Sequence, residues 1–158
     1  MHARESSSES GVQPIELSDS FRRFETPETG RAAVQLTEGE AFCYPLYYFI
    51  PSFSRDARRL VYHRSDGEQV QLHVLNLVSG EHRQLTDADC PDTRWVPWCS
   101  EAGRGVLDHR SVLNVVRDEV IYFDGQDARC VGLDGNDDRL LFRLPPDRLA
   151  IGQNCVSP

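Results

Sequence analysis

The chain has 158 residues, a formal net charge of −8 and 39% apolar residues, which is enough for about one domain. The acidity argues against nucleic acid or an anionic membrane as a general partner. No apolar run approaches the length of a membrane-spanning helix. An anionic small substrate stays open, because clustered arginine suits carboxylates, although heavy arginine use is more often a compositional habit.

Residues 1–23 are expected to form a poorly ordered arm. Met1 to Gln13 is rich in Ser and Glu and has no apolar core of the kind a signal peptide carries. Pro14 to Thr29 promises weak structure at most, with Phe21 and Phe24 as anchors to the body. Residues 24–158 are expected to be the folded part. Ala32 to Leu36 reads as an apolar-centred strand. Ala41 to Pro51, AFCYPLYYFIP, is the most aromatic stretch and reads as an inner strand. Its aromatic residues, Tyr47 and Tyr48 among them, either pack into a core or stack on a sugar ring or base.

The stretch from Phe53 to Thr86 organises the rest. Arg59 to Arg64 is a strand, Ser65-Asp66-Gly67 a turn, Gln69 to Leu77 a second strand, Ser79-Gly80 another turn, and Glu81 to Leu85 a return. Val70, Leu72 and Val74 point one way and Leu75 and Leu77 the other, which suits a sheet sandwiched between two others. Asn114 to Leu144 repeats the order. Val120 to Phe123, Ala128 to Leu133 and Arg139 to Phe142 are strands, with turns at Asp124-Gly125 and Asp134-Gly135. Thr29-Gly30-Arg31 to Gln35-Leu36-Thr37 mirrors Ser79-Gly80-Glu81 to Gln84-Leu85-Thr86. The openings Phe53-Ser54, Leu113-Asn114 and Val156-Ser157 also recur, the last two about 43 positions apart, within the roughly 40–45 residue period of propeller blades.

The expected fold is therefore all-β, with antiparallel blades of the β-propeller type. Two blades are complete (about 43–87 and 113–144), pieces of others flank them, and residues 150–158 begin the next. Propellers close with typically four to eight blades, so the expectation is a partial propeller, an arc of a longer molecule. Its exposed blade edges invite self-association. A small meander that pairs with itself in a dimer is the alternative.

Residues 88–112 form an insertion with Trp95, Trp98, Asp108, His109 and Arg110. Long loops on a rigid scaffold often carry function. His109 and Arg110 are candidates for an anionic ligand, Arg as a clamp and His as a proton carrier. The plainer reading is an Arg–Asp salt bridge with His in solvent. His63, His73 and His82 match no metal signature and read as solvent-facing or locally bonded. Cys43, Cys90, Cys99, Cys130 and Cys155 are odd in number and lack CxxC spacing, so zinc sites and a disulfide framework are not expected. Free thiols fit a reducing, cytoplasmic setting.

The run TGRAAVQLTEGEAFCYPLYYFIPSFSRDARRLVYH, followed by LHVLNLVSGEHRQLTD, resembles the N-terminal part of oligogalacturonate lyases, the seven-bladed β-propellers of pectin degradation. DEVIYFDGQDARCVGLDGNDDRLLFRLP is similar to the same family. TolB-type and WD40-like propellers share this strand-and-turn pattern, but the order TG…QLT…YYF…SF favours the lyases. The resemblance covers roughly Phe24 to Pro158. It implies β-elimination on short or unsaturated galacturonate oligomers, with a base taking the proton α to the uronate carboxylate. A divalent metal, usually manganese, would stabilise the enolate-like state. The family's His/Gln metal cluster and its base lie in later blades, so no catalytic or metal-binding residue carries over to this chain, and none is expected to bind metal here. Tyr47, Tyr48, His109 and Arg110 remain as candidate substrate contacts.

Three positions depart from the family pattern. Tyr44-Pro45 stands where a His-Arg pair is frequent, Ala57 replaces the usual turn glycine, and the segment from Trp95 to Arg110 is longer than expected. Two functions follow. One is the N-terminal portion of a lyase, inactive as a fragment; the other is a TolB/WD40-like binding module without chemistry.

Overall fold

The computed structural model describes residues 14–91, 103–106, 110–148 and 150. Strands β1 (Arg22–Glu25) and β2 (Ala32–Gln35) pair antiparallel as a two-stranded sheet. The first large sheet holds β3 (Phe42–Pro45), β4 (Arg59–Ser65), β5 (Gln69–Asn76) and β6 (His82–Gln84), each antiparallel to the next. The short β7 (Arg104–Gly105) joins its edge. The second large sheet is β8 (Val112–Asn114), β9 (Glu119–Asp124), β10 (Asp127–Gly132) and β11 (Arg139–Arg143), again an antiparallel meander. No helix occurs among the described residues, so none there is long and apolar enough to cross a membrane.

Period-2 patterning explains the stacking. On β5, Val70, Leu72 and Val74 face one way; Leu72 and Val74 meet Leu113, Val120, Tyr122 and Val131 of the second sheet in the main core. Leu75 faces the other way and joins Phe21, Tyr62 and Leu77, backed by Leu17, Val34 and Leu36 from the N-terminal segment. The first large sheet is thus covered on both faces, as its sequence implies. On its far face, the second sheet has only a small cluster of Phe123 and Ala128 with Cys90, Leu144 and Ala150.

The turns follow the sequence closely. Gly67, Gly80, Gly125 and Gly135 all take positive φ. Ala57, at the position where a glycine is usual, also has φ 55°, an unfavourable conformation for a residue with a Cβ. Asp118 does the same in the second sheet, with φ 54°. A hydrogen bond from the Leu77 N–H to the Arg58 carbonyl (2.8 Å) has its counterpart from Leu133 to Asp118 (2.9 Å). Arg59 and Asp118 form a 2.8 Å ion pair between the sheets.

The structure corrects the sequence reading in three places. Pro14 to Thr29 contains β1, which crosses the expected boundary at residues 23 and 24, and Phe21 is buried while Phe24 is exposed. The strand expected over Ala41 to Pro51 ends at Pro45, and pairing with β4 resumes only at a Phe53–Leu60 bridge. The stems of the insertion are knitted to β5. The Gln71 amide donates to the Ala88 carbonyl (2.7 Å) and its oxygen accepts from the Ala88 N–H (3.1 Å). Gly105 donates to Cys90 and Val106 to Val70, both at 2.9 Å, where β7 lies parallel to β5. Gly105 is required there: its φ is 112° and a Cβ would sit 2.1 Å from the Val70 oxygen.

Candidate functional site

The break between β3 and Phe53 creates the main candidate surface. The Leu46 N–H donates to Ser52 Oγ (3.1 Å) and the Ile50 N–H to the Tyr47 carbonyl (2.7 Å), which closes a tight turn. Leu46 plugs the core, while Tyr48 is 83% and Phe49 56% exposed. Tyr47 is half-buried beneath them. The three rings contact one another, with centroids 4.4 to 4.6 Å apart. Phe42 and Phe53, on either side of this turn in the chain, are also exposed. These rings form an exposed apolar patch at the sheet edge.

Tyr44 adjoins this turn in the chain and stacks on His63, with centroids 4.9 Å apart and planes 16° apart. His63 Nδ1 donates to the Pro45 carbonyl at 3.4 Å, which leaves Nε2 to accept from Ser111 Oγ at 3.3 Å. A hydroxyl on an imidazole resembles a nucleophile with its base. Here both residues are buried, His63 at 0% exposure, so the pair ties β3 and β4 to the start of β8 and offers no surface to a substrate.

The four predicted contacts separate accordingly. The structure brings Tyr47 and Tyr48 together in the aromatic cluster. Arg110 is 2% exposed and its Nε donates to the Ala150 carbonyl, so its guanidinium is part of the fold's interior. His109, Asp108 and both tryptophans lie outside the described residues. The solvent-facing alternative for the other histidines is corrected for two of them. His63 and His73 are buried, the latter beside Tyr62 at 5.6 Å between centroids. His82 Nδ1 shares a 2.8 Å hydrogen bond with the Tyr62 hydroxyl. Burial, and secondarily the Arg64 charge, pushes His73 down to about 4, and the same causes lower His82. Burial raises the Tyr62 phenol to about 12.

Cys43, Cys90 and Cys130 are free thiols, and burial raises Cys130 to about 11. No group of three His, Cys, Asp or Glu side chains among the described residues could hold a metal. His63 and His82 are hydrogen-bonded to different partners, and the sequence resemblance puts the family's manganese ligands in other blades.

What the fold defines is a class: an all-β chain of antiparallel meanders packed on one another through a shared core. Two solved structures share it. One is described as an oligogalacturonate lyase in complex with manganese, at TM-score 0.67 and 21% identity over 88% of this chain and 33% of that chain. The other is an oligogalacturonate lyase from Vibrio parahaemolyticus, at TM-score 0.67 and 17% identity over 88% of this chain and 32% of that one. The chain thus spans about a third of the length of each. No protein-family model matches the sequence, and no curated protein matches it.

Proposed function

We propose that the chain is the N-terminal arc of a propeller of the oligogalacturonate-lyase type, and that Tyr47, Tyr48 and Phe49 stack against the sugar rings of a uronate oligosaccharide. The observation that carries this reading is an exposed aromatic cluster at the break in the inner strand of a fold shared with two such lyases. The two large sheets act as complete blades, and the β1–β2 sheet acts as part of the blade that closes the ring. The metal-assisted elimination falls to other blades of such a propeller, as the sequence resemblance implies. Free thiols support a cytoplasmic location. The open outer strand β11 supports self-association of the arc.

The test is a titration of trigalacturonate followed by calorimetry and tyrosine fluorescence. Tyr48→Ala is expected to weaken binding about 2- to 10-fold, the worth of one aromatic contact. Equal affinity in Tyr48→Ala and Phe49→Ala would remove the aromatic cluster from the site. The chain alone is expected not to turn over unsaturated digalacturonate with manganese. Release of 4-deoxy-5-ketouronate would overturn that assignment.

A further inference from the structure

The face of the first large sheet turned away from the main core carries a polar row that the aromatic site does not use. Strand register sets Arg64 beside Gln71, and Tyr62 beside His73, which in turn neighbours Gln84. Arg64, Asp66, Gln69, Gln71, His73 and Gln84 line a cavity of about 290 Å³. We propose that this cavity is a binding site for a small carboxylate, held by the Arg64 guanidinium and the His73 imidazole.

Two independent observations carry it. His73 is 8% exposed and lines the cavity, yet its ring nitrogens have no hydrogen-bond partner among the described residues. The ring is buried, but its nitrogens are not sealed in the core; they open onto the cavity. Arg64, at the mouth, forms no hydrogen bond or ion pair among the described residues, whereas Arg59, Arg104, Arg129, Arg139 and Arg143 are all paired with carboxylates. A guanidinium and an imidazole N–H together match a carboxylate's two oxygens.

The surrounding groups fix the selectivity. Gln71 is fully used: its amide donates to the Ala88 carbonyl and the Gln69 side-chain oxygen, and its own oxygen accepts from Thr86 Oγ1 and the Ala88 N–H. It is a rigid wall. Gln84 spends one amide hydrogen on the Thr86 carbonyl and keeps the other. The opposing charge is Asp66, whose Oδ1 is committed to the Glu68 and Gln69 N–H groups, with Glu38 lining the neighbouring cavity beyond Arg64. One guanidinium against two carboxylates leaves a locally negative balance, so a monoanion is held only through the directional Arg64 and His73 bonds, and a polyanion is resisted. His82 and Tyr62 are hydrogen-bonded to each other and line the neighbouring cavity.

The experiment is histidine side-chain NMR on the whole chain during titration with sodium acetate and sodium galacturonate, at constant ionic strength against sodium chloride. The expected result is a saturable shift at His73 with both carboxylates, and a His73 titration midpoint raised by about one pH unit, since an adjacent anion favours the imidazolium. Arg64→Gln, an exposed substitution whose folding is checked by an unchanged melt, should abolish saturation and leave the His82 signal unmoved. Arg64→Lys should retain part of it. A His73 response indistinguishable from chloride, or one that survives Arg64→Gln, overturns the site. The occupant's source, resting on the proposed function, is resolved by repeating the titration on the longer propeller which that reading assigns to the chain. A His73 midpoint already raised without added acid, and unresponsive to it, assigns the carboxylate to an Asp or Glu of the longer protein; a saturable response assigns it to a free acid.

Discussion

Strand β5 buries six consecutive side chains, whereas β11, with Leu140, Leu141 and Phe142 in a row, leaves all five of its residues exposed. Both segments are apolar and both pair into four-stranded meanders. The difference is what lies over them. β5 sits between β4 and β6, with the second sheet on one face and the N-terminal sheet on the other. β11 is an edge strand, and the face beneath it meets only a small cluster. Apolar content therefore makes the strand, while the neighbouring sheet makes the core.

The largest test of that contrast is truncation on each strand. Leu72→Ala removes a fully buried side chain from the main core and should cost about 2–5 kcal/mol in urea unfolding. Phe142→Ala, at the exposed edge, should cost less than about 1 kcal/mol. Similar losses at both would show that β11 is covered in solution, as by a second copy.

Acid should separate the two sheets next. His73 titrates near 4 in the folded chain against 6.5 when unfolded. The unfolded chain therefore takes up the extra proton, and stability falls as pH drops from about 6.5 toward 4. The lowered carboxylates, Asp66 on one sheet and Asp127 on the other, act only below their ordinary 3.8. The second sheet contains no histidine. Hydrogen exchange at pH 7 and pH 4.5 should show faster opening of β4 and β5 with β9 and β10 little changed. His73→Phe should remove most of that pH dependence, leaving the smaller part due to His82.

The smallest effect sharpens the comparison of the two turns. Ala57→Gly relieves a positive φ and should stabilise the chain by about 0.5–1 kcal/mol, read as a higher urea midpoint at unchanged m-value. Asp118→Gly, which relieves a similar φ but breaks the ion pair to Arg59, should gain nothing.

The strands flanking Gly67, Gly80, Gly125 and Gly135 were readable from residue order, because alternation and turn chemistry are local. So was the division of β5 into two apolar faces, whereas Ala57 stood out only as a departure from the turn glycine of the resembled family. The missed features are those set by partners far along the chain. β1, RRFE, is exposed throughout and carries no alternation to betray it. β7 is two residues long and exists only through its contact with β5. The aromatic stretch gave Tyr47 and Tyr48, but the outward turn depends on Ser52 reaching back to Leu46. His63 and His73 look alike in sequence. Their burial depends on Tyr44 and Ser111 for one and on Tyr62 for the other.

The stitching of Ala88, Cys90, Gly105 and Val106 to β5 has a practical meaning. Both flanks are soldered to a strand that is itself held from every side, so the points where the chain leaves β5 and re-enters it at Gly105 are fixed by backbone bonds rather than by side-chain packing alone.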